Sequence, residues 1–451
     1  MLNRFSKPFV YFVERWYPDP LIFAFALSLL AFILAVCFTE SSLMQAIIAW
    51  GDGMHSLMGF IGMLSFTLIS STALAHTRPV TSLLQKIAGL PETEFGCYAL
   101  AAFVAAVASL ISWALGLIVG GIIVRHIQFR AQKKGLKPHY ALLIAAAYSG
   151  FVVWHMGYSG SAQLFVATKG HVFESQMGIL PVSETLFSGY NITAVIICLI
   201  TIPILMGFMK PRPEQAVGLP DDIIGAIEES MQAGKKRQPA SNAEVIERMR
   251  WFNILIGGLL LIYLGWYFST KGLDLNLNVV NWSFLALGLV MADSPIHYVR
   301  LVADAGRNVG QIIIQYPLYA GLMGLMVKTG LANILSGIFT AVASKSTLAL
   351  LTFLSAGLLN LFIPSGGGQW SVQGAIVIDA AKQLGVPLHS IVNAVAYGDQ
   401  WTNMIQPFWT IPLLAIAGLK MRDMMGYTFV TLIWTGIIFA VTLQFLVPLF
   451  G

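Results

Sequence analysis

The sequence predicts an all-α polytopic membrane protein whose two halves form an inverted repeat. Of its 451 residues, 57% are hydrophobic and only 10% are charged, whereas a soluble protein has about 25% charged residues. Apolar runs of about 20 residues, the length that crosses a bilayer as a helix, recur along the chain. No short alternating pattern suggests a β-barrel. The net charge of +5 is spread over short loops, so we expect no nucleic-acid partner.

The membrane spans follow a cytoplasmic lead-in at residues 1–20. The lead-in contains Arg4, Lys7 and Arg15 and no small-residue cleavage site, so it does not resemble a removed signal. Between the halves, residues 210–250 predict a cytoplasmic linker with room for a surface helix over 221–232. Uninterrupted apolar runs predict spans over 21–38, 57–75, 190–209, 251–268, 281–292, 309–327 and 426–449.

Two segments, 97–127 and 348–381, predict re-entrant hairpins. The tip of the second, Asn360–Trp370, places proline, serine and three glycines between apolar runs that are too short to cross a bilayer. Such backbone is tolerated at membrane depth only inside protein or beside a water-filled cavity. The second half-helix should begin at about Gly368, and its N–H groups should favour a carboxylate. The alternative is a surface loop between two short spans. The first hairpin is interrupted by Ser109, Ser112, Trp113, Gly116, Gly120 and Gly121.

Two further spans, 141–167 and 389–418, predict broken helices. The first is interrupted at 148–150 and again at 157–161. With the N-terminus inside, nine full crossings and two hairpins place 21 of the 26 Lys and Arg residues on the cytoplasmic side, which is the expected bias. Those inside segments are 1–19, 76–96, 125–139, 210–250, 293–308 and 420–425.

The halves repeat the same order of elements at a displacement of about 250 residues. Phe103 and Ala106 fall on Phe353 and Ala356, and each half contains a span, a hairpin and a broken helix. The hairpins enter from opposite sides, so residues 1–209 and 251–451 predict an inverted repeat joined by the linker. That architecture is typical of secondary transporters, whose site lies at mid-membrane between the repeats.

The second broken helix contains Asp399, an acid at membrane depth. An ionisable group there is costly and is a functional candidate. It could bind a coupling proton, or it could bind Na⁺ together with Thr402 and Asn403, because hard cations prefer oxygen ligands. The alternative is a structural pairing of Asp399 with a backbone amide or a basic side chain.

The first broken helix contains no acid but supplies other polar candidates. His155 titrates near neutral pH when unperturbed, so it could bind a proton or hydrogen-bond a substrate carboxylate. Its alternative is a packing role. Ser159 and Ser161 are candidate ligands for an ion or carboxylate, and their alternative role is to allow close helix packing. Ser149 is a further candidate substrate ligand.

The hairpin tips predict the substrate site and its chemistry. The candidate substrate-binding residues there are Ser112, Trp113, Ser365, Gly366, Gly367, Gly368, Gln369 and Trp370. The predicted core contains no Lys or Arg, which favours a substrate with one carboxylate. Trp113, Trp370, Trp401 and Phe408 suit a short apolar tail, although aromatics also line membrane interfaces.

Enzyme motifs are absent from the sequence. There is no phosphate-binding Gly-Lys-Ser/Thr loop, no His-Glu-x-x-His zinc motif and no Gly-x-Ser-x-Gly elbow. We therefore expect no catalytic residues and no cofactor beyond a coupling H⁺ or Na⁺. The isolated cysteines suggest neither a disulfide nor a metal site; they are Cys37, Cys97 and Cys198.

Three motifs together resemble the bacterial short-chain fatty acid transporter family, which is associated with acetoacetate and butyrate uptake. They are Phe12–Pro20, Asn360–Trp370 and Gly398–Trp409. The resemblance implies membership of the ion-transporter superfamily, with a scaffold domain, a transport domain with two opposed hairpins, elevator-like movement and often a homodimer. Dicarboxylate relatives have Ser-Asn-Thr at each tip. Here the tips are Ser112–Ala114 and Pro364–Gly366, so the sodium sites of those relatives are not carried over.

We therefore expect a secondary active transporter of short-chain monocarboxylates, embedded among the lipids of a bacterial inner membrane. A proton or Na⁺ gradient would drive it. The alternatives are a dicarboxylate or amino-acid-derivative carrier of the same superfamily, a passive anion channel and a membrane-embedded enzyme. The missing core cation disfavours dicarboxylates, broken helices with sealed tips disfavour a channel, and the missing catalytic motifs disfavour an enzyme.

Overall fold

All regular structure in the described part of the chain is helical. The structure is a computed structural model that describes residues 11, 15, 20–56, 58–171, 173–212, 214, 216–219, 241–272, 277–307 and 309–450. Most of the lead-in and the predicted surface helix over 221–232 lie outside the described residues.

The first half of the chain contributes ten α-helices to the described structure. They are α1 (Pro20–Phe38), α2 (Leu43–Gly53), α3 (Met58–Ala75), α4 (Arg78–Ala88), α5 (Glu94–Ile111), α6 (Trp113–Lys133), α7 (Tyr140–Phe151), α8 (Ser161–Ala167), α9 (Glu174–Met177) and α10 (Gly189–Phe208).

The remaining helices begin in the linker and continue to the C-terminus. They are α11 (Asn242–Glu247), α12 (Arg250–Lys271), α13 (Leu277–Met291), α14 (Pro295–Gly306), α15 (Gly310–Lys328), α16 (Leu331–Ala341), α17 (Leu348–Asn360), α18 (Gly366–Leu384), α19 (Leu388–Thr402), α20 (Thr410–Ala417), α21 (Met421–Val441) and α22 (Val447–Phe450).

Several helices are long and apolar enough to cross a membrane, which confirms the predicted class. Among the described residues seven pass by length and composition, or eight if the pair α15–α16, bent by 62°, forms one span. The nine predicted crossings did not include α5 and α6, which were placed in the first hairpin and which pass here; they included instead α15, the broken span 389–418, and α3 and α13, whose apolar stretches are shorter. The number of crossings and the side of the N-terminus therefore stay predictions.

Both predicted hairpins are pairs of helices packed against each other. The first extends beyond the predicted 97–127, from Glu94 to Lys133, because its polar ends continue the helices past the apolar stretch. At its start Gly96 N–H donates to Thr93 Oγ1, which caps α5. The second hairpin runs over α17 and α18 and ends at Gly385, where φ is +65°, a conformation that favours glycine.

The first predicted interruption, at 148–150, is wrong because these residues are helical. Helix α7 continues to Phe151 and the break follows it. Gly150 lies so close to α5 that a Cβ atom there would clash with the carbonyl oxygen of Ala102. The small residues at this point therefore permit close helix packing and do not break the helix.

The helices form two groups. In one, α3 packs on α13 and α14, α12 packs on α13, and α15 packs on α1 and α2. The other contains the hairpins, the broken helices, α10 and α21. Helix α16 follows α15 and packs on both helices of the second hairpin.

The hairpins and broken helices pack reciprocally. The second part of the first broken helix, α8, contacts α18 of the second hairpin, and α20 contacts α6 of the first hairpin. A Cβ atom at Gly398 on α19 would clash with the carbonyl oxygen of Phe353 on α17, as one at Gly150 would clash with α5. This exchange fits the predicted inverted repeat, while the proposed division into repeats and linker stays a prediction.

Candidate substrate and coupling site

The two helix breaks meet inside the protein. After α7 a short 3₁₀ turn, Trp154–Met156, precedes α8, and after α19 a similar turn, Asn403–Ile405, precedes α20. The backbone N–H of His155 donates to Gln400 Oε1 at 3.0 Å. Trp154 Nε1 donates to Asn403 Oδ1, also at 3.0 Å. Polar groups that the broken helices leave free are thus paired across the repeats, as a non-helical segment at membrane depth requires.

His155 and Asp399 form a buried pair at this junction. Their side chains are 0% and 1% exposed, and Nδ1 of His155 lies 3.2 Å from Oδ2 of Asp399. Nδ1 also lies 3.1 Å from the carbonyl oxygen of Ala396, and the ring hydrogen is directed there. Neither carboxyl oxygen of Asp399 has a hydrogen-bond partner among the described residues. The two groups are therefore in close contact without a hydrogen bond between them.

The tip of the second hairpin lies directly on this pair. Helix α18 begins at Gly366, where a Cβ atom would clash with the His155 imidazole and come within 3.2 Å of Asp399 Oδ2. Gly367 has only the Cβ of Ser161 near its own Cβ position, at 3.9 Å. The positive end of α18, predicted to face a carboxylate, faces the carboxyl group of Asp399.

Side-chain amides fix the second hairpin to α19. Asn360 Nδ2 donates to the carbonyl oxygen of Asp399 at 2.7 Å and to Thr402 Oγ1 at 2.9 Å. Thr402 Oγ1 in turn donates to the carbonyl oxygen of Gly357 at 2.8 Å. Within the hairpin, Gln369 Nε2 donates to the carbonyl oxygen of Ala356 at 2.8 Å. These bonds hold the tip in place over Asp399.

The tip of the first hairpin reaches the same junction from the other side. Ser112 is extended between α5 and α6, and Trp113 N–H donates to Ser159 Oγ at 3.0 Å. Tyr158 N–H donates to the carbonyl oxygen of Leu110 at 2.7 Å. The Trp113 ring meets Trp409 edge to face, with centroids 4.9 Å apart. Both hairpin tips therefore approach the turn between α7 and α8.

Most of the candidate residues gather here, and three lie elsewhere. Gln369 is bonded within the second hairpin, to the carbonyl oxygen of Ala356. Ser149 is in hydrogen-bond contact with Thr431 on α21, with the two hydroxyl oxygens 2.8 Å apart. Trp370 is buried against Phe173, with ring centroids 6.0 Å apart. The candidates that meet at the junction are Ser112, Trp113, His155, Ser159, Ser161, Ser365, Gly366, Gly367, Gly368, Asp399, Thr402 and Asn403.

Sequence reasoning missed residues that position His155. Gln163 Nε2 donates to the carbonyl oxygen of His155 at 3.0 Å and to Asn393 Oδ1 at 2.9 Å. Gln400, which holds the His155 backbone, was also missed, although it follows Asp399 directly. Uncharged amides within an apolar helix were the available signal, because buried polar groups require partners.

Comparison with known proteins identifies the family. The family described as short chain fatty acid transporter matches residues 1–446. The chain belongs to the short-chain fatty acid transporter family. A relative from Escherichia coli (strain K12), named "Putative short-chain fatty acid transporter", is 39% identical over 98% of this chain and 99% of its own length. A relative of the same name from Haemophilus influenzae is 38% identical over 99% and 100%.

Two solved transporter structures resemble this transporter weakly. MtrF of Neisseria gonorrhoeae, described among a class of antimetabolite efflux pumps, has a TM-score of 0.43 at 13% identity, covering 98% of this chain and 97% of that one. The Alcanivorax borkumensis YdaH transporter has a TM-score of 0.43 at 16% identity, covering 94% and 98%. These scores are too low to carry an argument about the fold.

Family membership makes the chain a multi-pass membrane transporter and not an enzyme, as the sequence predicted. Among the residues that the structure describes, no group of three or more His, Cys, Asp or Glu side chains is arranged to hold a metal ion. The junction instead offers one buried carboxyl–imidazole pair and several carboxamides, which can bind a proton and hydrogen-bond an anion.

Proposed function

We propose that the transporter takes up short-chain monocarboxylates, such as butyrate or acetoacetate, together with protons across a bacterial inner membrane. The observation that carries the proposal is the buried contact between His155 and Asp399, 3.2 Å apart. A carboxyl group and an imidazole are both groups that can bind and release a proton. An ionisable pair at membrane depth is costly, and such groups in membrane proteins usually mark a functional site.

The surrounding bonds favour a proton over Na⁺ as the coupling ion. The oxygens predicted to bind Na⁺ beside Asp399 already have partners, because Asn403 Oδ1 accepts from Trp154 and Thr402 Oγ1 accepts from Asn360. Each of these two oxygens could offer Na⁺ only a lone pair that its hydrogen bond does not use, whereas a hard cation requires several oxygen ligands. A proton needs only the His155–Asp399 pair.

The walls of the junction favour a small substrate with one carboxylate. The sequence has no Lys or Arg in 94–124, 140–168, 346–381 or 386–418, which cover the broken helices and all of the hairpins except the C-terminal ends of α6 and α18. A second carboxylate would lack a fixed positive charge to balance it. Trp113 and Trp409 lie edge to face where the first hairpin tip meets the break, and they offer an apolar surface to a short acyl tail.

The two helix groups support an elevator-like movement. The group with the hairpins and broken helices would move against the group with α12 to α15, carrying substrate and proton between the two sides. Two copies would form a homodimer in the lipid bilayer through the group with α12 to α15. That group would then stay fixed while the other group moves. The inner bacterial membrane is the expected location.

Uptake of labelled butyrate and acetoacetate into proteoliposomes tests the proposal, with pH and Na⁺ gradients imposed separately. Empty liposomes under the same gradients give the baseline for unaided permeation. We expect saturable accumulation under an inward proton gradient alone. Accumulation driven only by a Na⁺ gradient would show that Na⁺ is the coupling ion. Entry no faster than the baseline would show that these acids are not substrates. Flux without accumulation would favour a passive anion channel.

A further inference from the structure

Two buried carboxamides at the junction have their orientation fixed by donors that cannot accept. The oxygen of Gln400 accepts the backbone N–H of His155, and the oxygen of Asn403 accepts the indole N–H of Trp154, each at 3.0 Å. Backbone and indole N–H groups only donate. Each carboxamide must therefore turn its oxygen toward the first broken helix, so its NH₂ group points elsewhere.

Within the described part of the chain, those NH₂ groups have no hydrogen-bond partner. Gln400 and Asn403 are both 0% exposed, and neither Nε2 of Gln400 nor Nδ2 of Asn403 has a hydrogen-bond acceptor among the described residues. Buried polar groups in proteins are nearly always hydrogen-bonded, so each such donor calls for an explanation. Two of them, fixed by neighbouring residues of the same turn, indicate a site for an acceptor.

We infer that the amide NH₂ groups of Gln400 and Asn403 form the carboxylate-binding site for the transported acid. The two residues are three positions apart, a spacing that places side chains on one face of a helix. The oxygens of both carboxamides contact adjacent residues of the same 3₁₀ turn, so the two side chains lie on the same side of the break. A carboxylate has two acceptor oxygens, one for each amide. This inference rests on the proposed function and names the groups that hold its substrate.

The site explains why substrate and proton would travel together. Asp399 precedes Gln400 in the chain, and His155 contacts both, through its ring and its backbone N–H respectively. A substrate carboxylate held by Gln400 would therefore lie near the carboxyl group of Asp399. Two carboxylates at one site cannot both be ionised at low cost. The acid would bind when Asp399 has its proton, which gives one proton for each monocarboxylate.

The test changes the donors without breaking the bonds that orient them. Gln400→Glu and Asn403→Asp keep an oxygen for His155 and Trp154 but replace NH₂ with oxygen. We expect butyrate to bind the purified transporter about tenfold to a hundredfold more weakly in each variant, as for a lost hydrogen bond to a charged group. Gln128→Glu, the same change at a buried carboxamide on α6, is the matched control and should bind as wild type.

If the acidic variants do not fold, neutral variants and a direct measurement on the wild type still test the inference. Gln400→Met and Asn403→Leu remove the donors without adding an acid, and thermal unfolding shows which variants are intact. Infrared difference spectra of wild type with ¹³C-carboxylate butyrate report hydrogen bonding of the bound carboxylate. Folded variants that bind butyrate like wild type would overturn the inference, as would an unshifted carboxylate band. Wild type that binds no butyrate at all would instead overturn the proposed function.

Discussion

His155 Nδ1 and Asp399 Oδ2 lie 3.2 Å apart, although the two residues come from opposite halves of the chain. His155 lies in the turn that follows α7, and Asp399 lies near the end of α19. The tip of the second hairpin covers both residues. A movement of that tip would change access to the pair. In the proposed mechanism, this contact would connect the protonation of the transporter to the position of a hairpin.

Replacing Asp399 with Asn should abolish proton-driven accumulation without abolishing the exchange of substrate across the membrane. The amide keeps the size of the side chain but cannot release a proton. We expect Asp399→Asn to lose accumulation under a proton gradient while retaining exchange of labelled for unlabelled butyrate across proteoliposomes. Asp379→Asn, the same change at an exposed position of the second hairpin, should accumulate substrate as wild type does. Undiminished accumulation by Asp399→Asn would remove this residue from the coupling mechanism.

Adjacent glycines at the second hairpin tip should respond differently to a methyl group. A Cβ at Gly366 would clash with the His155 ring, whereas one at Gly367 would have only the Ser161 Cβ near it, at 3.9 Å. Gly366→Ala should displace the tip and lower the uptake rate about tenfold or more, since a small misplacement at a site is costly. Gly367→Ala should transport at close to the wild-type rate. Equal rates for the two variants would contradict the placement of the tip on His155.

The bond between Trp154 and Asn403 should contribute to stability as well as to the site. Trp154→Phe retains a ring but leaves the Asn403 oxygen without its donor, which should lower the free energy of unfolding by about 1–3 kcal/mol. Trp434→Phe is the comparison, because its indole N–H donates to Thr201 Oγ1 at 2.9 Å on an exposed surface. Thermal unfolding in detergent measures both. A larger loss for Trp434→Phe would indicate that the buried bond is not made.

The architecture could be predicted because glycine, serine and proline at membrane depth leave backbone groups that lipid cannot satisfy. That constraint located both hairpins and both broken helices. It could not distinguish a break from close packing, so Gly150, which packs on α5, was placed in a break. Helices α2, α4, α14 and α16 were missed because each has only 11 or 12 residues, too few for a span.

The site could be predicted only where one residue was unusual by itself. Asp399 is an acid within an apolar span, so it was a candidate from the sequence. Its partner could not be chosen, because the contact with His155 depends on how two distant helices break. Gln400 was missed for a related reason. Only the position of the His155 N–H shows which way its carboxamide turns, and thus that its nitrogen has no acceptor among the residues that the structure describes.

Two serines of the first broken helix should have different roles, Ser149 in stability and Ser159 in transport. Ser149 contacts Thr431 on α21, away from the junction, whereas Ser159 Oγ accepts the N–H of Trp113 at the first hairpin tip. We expect Ser149→Ala to transport with the wild-type KM and to unfold at a lower temperature. Ser159→Ala should raise the KM for butyrate or lower the uptake rate, because the tip loses a bond that positions it. Uptake kinetics and thermal unfolding of both variants test this prediction. A raised KM in Ser149→Ala alone would indicate that Ser149 belongs to the substrate site.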